Sequence, residues 1–120
     1  MENVQVATIC KIRDLYRSIA EFEASFQDQY DLCLNEGVLL CTLGDQKYSS
    51  SEIAESLGLT NSNTSKVIKS VENKGLVKRN IGKEDKRQMY FALTKSGQQL
   101  LSKLKCADLN LPTALQDVIN

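Results

Sequence analysis

Between Gly82 and Gly97 the chain reads GKEDKRQMYFALTKSG, setting Lys83, Lys86, Arg87 and Lys95 beside Glu84 and Asp85 before apolar and polar residues begin to alternate. Cations at this density suit a polyanion, because each one that meets a phosphate releases a condensed counter-ion. A second group stands upstream in TNSNTSKVIKSV. There Thr64, Val67, Ile68 and Val71 share one helical face and leave Ser62, Asn63, Ser65, Lys66 and Lys69 on the other. Short hydroxyl and amide groups can approach base edges closely, Asn can pair with adenine, and Lys reaches guanine acceptors or phosphates. The competing reading is plain: Ser and Asn are common at helix starts, and lysines solvate any exposed face.

Net charge conceals how these cations are grouped. The chain sums to zero, yet residues 1–50 hold four Lys and Arg against eight Asp and Glu, residues 51–97 hold nine against five, and residues 98–120 hold two against two. The basic block therefore coincides with both groups above, as a nucleic-acid footprint would.

Other chemistry finds less support. Cys10, Cys33, Cys41 and Cys106 form no C-x-x-C pair and the chain has no histidine, so a zinc pattern is missing along with the commonest general base. No catalytic constellation, metal site or cofactor motif is read from the sequence, and an enzyme is not expected. Cys33 opens a helix, where the dipole and free N–H groups favour thiolate while Asp31 and Glu36 oppose it; it is the candidate redox sensor. Cys41, set among leucines, reads as inert core. The N-terminus MENVQVATICKIRD has neither the basic start nor the apolar run of a secretion signal, and no segment approaches the roughly 20 apolar residues of a membrane span. A cytoplasmic protein with no membrane partner is expected.

These side chains need elements to position them. Ile12, Leu15, Tyr16, Ile19, Phe22 and Phe26 recur at helical spacing over about residues 4–27, a long amphipathic helix whose stripe requires a partner. DLCLNEGVLLCTLGD reads as a short, largely buried helix stopped by Gly44. Ser49 and Glu52 have capping-box spacing at the start of a third helix that ends at Gly58. A fourth runs from about Asn61 to Lys74, with Thr60 as N-cap and Gly75 at its end. Ile53, Leu57, Leu59 and Val67 point inward, and Ala54 is small where the two helices cross. After Gly75 the period changes: GLVKRN and QMYFALT read as strands joined by the polar hairpin IGKEDKR, with Met89, Phe91 and Leu93 on one face. A helix over SGQQLLSKLKC and a helical tail carrying Leu111, Leu115, Val118 and Ile119 complete the chain.

The order of helix-turn-helix and then basic hairpin is that of a winged helix, and the segments YDLCLNEGVLLCTL, SSEIAESLGLTNSNTSKVIKSVENKGLVKR and D-x-R followed by L-T-x-x-G at 85–97 resemble the MarR family of bacterial transcription regulators. The resemblance implies a mainly α fold with a small β-hairpin, one MarR-like domain over residues 1–120. Its winged helix-turn-helix would occupy 31–97, between N- and C-terminal dimerisation helices at 1–30 and 98–120. It also implies a homodimer on a pseudo-palindromic operator in double-stranded DNA, acting as a repressor released by a small-molecule inducer or an oxidant. On that resemblance Ser62, Asn63, Ser65 and Lys66 face the major groove. Arg87 is the wing arginine, joined on the backbone by Lys83 and Lys86, and Asp85 orients it. Only 23 residues follow Gly97, so the last helix is expected to be shortened or broken near residues 110–112, and Cys33 stands where relatives place a Thr cap. The other reading is a winged helix used only for protein interaction, which retention on heparin or random duplex and its salt dependence would separate.

Overall fold

The computed structural model describes residues 4–82, 87–107, 109 and 111–119. It packs as two compact units, residues 1–33 with 108–120, and residues 34–107.

In the first unit, helix α1 (Val4–Tyr30) packs against α6 (Thr113–Ile119). Its apolar stripe divides. Phe22, Phe26 and Tyr30, one turn apart, stack edge-to-face with ring centroids 5.8 and 5.1 Å apart, and Phe26 is buried. Such pairs add roughly 0.5–1.5 kcal/mol beyond their area. Towards the N-terminus the pattern turns away from the packed face: Val6, Ile9, Ile12, Tyr16 and Ile19 are exposed, Tyr16 at 76%. On α6, Leu115 is buried while Val118 and Ile119 are exposed.

The second unit contains α2 (Leu34–Leu43), β1 (Tyr48–Ser49), α3 (Ser50–Leu57), α4 (Asn61–Asn73), β2 (Val77–Ile81), β3 (Met89–Leu93) and α5 (Lys95–Cys106). Fully buried Leu39, Leu40, Leu43, Ile53 and Val71 form its centre, with Ile68, Phe91, Leu93 and Leu101 also buried. Local chemistry sets the helix ends. Ser49 and Glu52 complete the capping box, with Ser49 N donating to Glu52 Oε1 at 3.0 Å and Glu52 N to Ser49 Oγ at 3.2 Å. Gly58 closes α3 in the left-handed conformation, φ +67°, which an L side chain adopts only with strain. The expected break in the last helix falls between Cys106 and Thr113.

Two packing expectations are corrected. Cys41 is exposed, because Leu39, Leu40 and Leu43 take the inward positions of α2 and leave Val38 and Cys41, three residues apart, on its outer face. Met89 is 36% exposed, because it pairs with exposed Ile81 at the end of the hairpin, past the core that receives Phe91 and Leu93. The sheet also has a strand that the sequence pattern did not reveal. Its order is β1-β3-β2, all antiparallel, and Tyr48 lies opposite Phe91 and Ser49 opposite Tyr90.

Candidate nucleic-acid interface

Helix α4 is built to show one face. Thr60 caps it, accepting from Asn63 N at 3.1 Å, and Thr64 Oγ1 donates to Thr60 O at 2.8 Å. Loss of such a cap costs about 1 kcal/mol. Thr64, Ile68 and Val71 are buried and Val67 is half-buried, so the face bearing Ser62, Asn63, Ser65, Lys66 and Lys69 is exposed throughout. That surface holds short donors and acceptors at the start of the helix and ammonium groups one to two turns on, the arrangement a groove-reading helix needs.

The hairpin adds Arg87, which is exposed. Lys83, Asp85 and Lys86 lie outside the described residues. Gly82 N donates to Gln88 O at 2.8 Å, which holds the base of the turn closed beyond the Ile81 and Met89 pair. Cys33, the candidate sensor, is half-buried immediately before α2.

The L-T-x-x-G segment explains itself in contacts. Leu93 is buried. Thr94 caps α5 by accepting from Gly97 N at 3.1 Å, and its hydroxyl donates to Gly75 O at 2.6 Å while its N–H donates to Leu76 O at 3.0 Å. Gly97 is required by approach, since a Cβ there would run into the Leu76 carbonyl. The segment thus fastens the start of α5 to the turn that follows α4, fixing where the hairpin leaves that helix.

Two charge clusters went unread in the sequence. Arg79 on β2 grips Glu72 of α4 with Nε and Nη2 at 2.7 and 2.9 Å and lies 5.5 Å from the centre of the Phe91 ring. The hydrogen bonds to Glu72, and then its charge, raise the Arg79 pKa further above its ordinary value. On the other side of α4, the Glu36 carboxylate of α2 accepts from Ser70 Oγ at 2.8 Å and from Lys74 Nζ at 3.0 and 3.1 Å. At their sequence separations of 7, 34 and 38 neither cluster leaves a helical or strand period to find. Among the described residues no group of Cys, Asp and Glu could hold a metal ion, and no helix is long and apolar enough to cross a membrane.

A helix-turn-helix with a three-stranded sheet, a polar exposed face on its second helix and a basic hairpin defines the winged-helix architecture. Residues 32–89 match the MarR family model. Solved structures with the same fold include the MepR–DNA complex of S. aureus (20% identity, TM-score 0.65, covering 89% of this chain and 83% of that one). They also include the transcriptional regulator BldR of Sulfolobus solfataricus (23%, 0.73, 100% and 84%) and the adhesin competence repressor AdcR of Streptococcus pyogenes (22%, 0.71, 82% and 70%). No curated protein sequence matches the chain. Over residues 32–89 the winged helix-turn-helix of this chain is thus similar to the MarR family.

Proposed function

We propose that the chain is a sequence-specific transcription regulator that acts as a homodimer, presents one winged helix per subunit to a pseudo-palindromic operator, represses, and is released by a small molecule or oxidant. The observation that carries this reading is the exposed face of α4, where Ser62, Asn63, Ser65, Lys66 and Lys69 stand free of the core. Solved relatives point the same way, MepR being seen with DNA and AdcR named a repressor. Dimerisation rests on the exposed stripe from Val6 to Ile19, an apolar surface that a second copy would cover about a two-fold axis. Lys83, Lys86 and Arg87 would meet the backbone or minor groove, with Asp85 orienting Arg87. A cleft of about 280 Å³ lined by Phe22, Phe26, Tyr30 and Leu109 offers an aromatic inducer a wall to stack on. Cys33 is the residue an oxidant would reach in the thiol version of release.

The test is selection of bound duplexes from a random pool, followed by titration of Ser65→Ala and Lys66→Ala on the selected sequence. Each direct base contact should cost about 1–3 kcal/mol at its base pair without unfolding the protein. If both variants bind like the parent while Val67→Ala alters preference, α4 faces the DNA the other way.

A further inference from the structure

Glu36 is a carboxylate with no place on the DNA surface. It is 4% exposed, its side chain 5%, yet it spends its charge at the end of one helix, on Ser70 of α4 at 2.8 Å and on Lys74, the C-cap of α4, at 3.0 Å. The Lys74 side chain is 27% exposed, and an ion pair with only its carboxylate buried is a poor way to add stability, because desolvating that carboxylate offsets much of the attraction. What it adds is direction. Apolar packing between α2 and α4 tolerates small rotations, whereas bonds to a hydroxyl and an ammonium one turn apart are satisfied together in one orientation.

The lever is long. From Lys74 to Asn63 the axis runs about 16 Å at roughly 1.5 Å per residue, so a swing of about 5° at the held end moves the reading end by about 1.4 Å. Recognition tolerates about 0.5 Å. From this geometry, and resting on the operator-binding reading above, we infer that Glu36 is a positioning residue for sequence discrimination: acting through Ser70 and Lys74, it sets the angle at which α4 enters the groove. Phosphate contacts survive a small tilt because a charge need not be placed so closely, but base-edge hydrogen bonds do not. Loss of Glu36 therefore lowers the preference for the operator and leaves the general affinity for duplex DNA nearly intact.

Glu36→Gln keeps the shape and can still bond Ser70, but removes the charge that holds Lys74. The full chain is titrated by fluorescence anisotropy with the selected duplex and with a random duplex over a salt series, and far-UV circular dichroism checks the fold. The ratio of the two affinities should fall about tenfold, random-duplex affinity should change by less than about twofold, and the salt slope should stay that of the parent. Ser70→Ala, which leaves the ion pair in place, should lower the ratio less. Glu36→Gln combined with Lys74→Gln should lose no more than the larger single loss, as expected for two members of one device. A ratio unchanged in both Glu36→Gln and Ser70→Ala, or equal losses on both duplexes, overturns the positioning role. Should Glu36→Gln fail to fold, Ser70→Ala decides alone. A parent that does not discriminate between the duplexes overturns the operator reading and this role with it, whereas a discriminating parent whose variants keep its ratio removes the positioning role only.

Discussion

Replacing Gly97 by Ala should destabilise the winged-helix unit although Ala is the better helix former. The new methyl would collide with the Leu76 carbonyl oxygen, with the carbon of that carbonyl at 3.2 Å and Leu93 Cβ at 3.3 Å. Two of those three atoms belong to backbone, so no flexible side-chain end can give way. The start of α5 must retreat, and the bonds it would stretch are those from Thr94 to Gly75 O, at 2.6 Å, and to Leu76 O, at 3.0 Å. Overpacking of this kind costs about 1–3 kcal/mol. A lost hydrogen bond adds about 1 kcal/mol, and the gain in helix propensity returns about 1 kcal/mol. The net is about 2 kcal/mol, which for a chain of 120 residues lowers the melting midpoint by about 8 °C. Urea and thermal unfolding followed by circular dichroism measure it, with Ser96→Ala, at an exposed neighbouring position, expected to stay within about 0.5 kcal/mol of the parent. A Gly97→Ala protein with a midpoint equal to or above the parent would refute the close-approach argument.

Four further outcomes are expected. Arg87→Ala should weaken binding to most sequences, most where the minor groove is narrow, and Asp85→Ala should weaken it too; tightening on loss of the carboxylate, read by anisotropy, would reduce Asp85 to a solvated neighbour. Hydrogen bonds from the Ser49 backbone, and then from its hydroxyl, hold the Glu52 carboxyl below its usual pKa of 4.5. Its contribution is then full above that value and lost as pH falls through the lower folded one, so Glu52→Gln should flatten the acid limb of the stability profile below about pH 4.5 and change its slope little at neutral pH. Deleting everything after Lys105 removes α6 from its packing on α1 and should weaken dimer and operator affinity together, and a truncated chain that stays dimeric by light scattering with unchanged binding would contradict the interface assignment.

The sequence was legible wherever a signal was local. Ser49 with Glu52, Thr60, Gly58 and Gly75 mark helix boundaries within one turn of themselves, and the structure places the ends there. The alternation of β3 was equally plain at Phe91 and Leu93, but it could not say where the core runs out, so Met89 was assigned to a face that no longer covers anything. Strand β1 escaped because two residues cannot display a period, and because Ser49 already had an explanation as a cap. In the sequence Glu36 is legible only as a charge that opposes a Cys33 thiolate; its bonds to Ser70 and Lys74 depend on how α2 meets α4, which no spacing records. On α1, periodicity identified apolar positions without separating those that pack, such as Phe26, from those left exposed, such as Ile9.

Ser49 holds two offices at once, and the order of folding follows from it. Its backbone pairs with Tyr90 in the sheet while its hydroxyl caps α3. The cap can form early, from neighbours three residues away. The strand cannot, because its partner arrives only after α3, α4 and β2 have been traversed, and closing a loop of that length must be met by entropy before any contact repays it. The sheet is therefore completed late, when β3 comes home between β1 and β2. A fragment ending at Gly75 would retain both helices of the motif but lack the strands beside β1, and should behave as a collapsed, slowly ordering chain where the intact unit folds cooperatively.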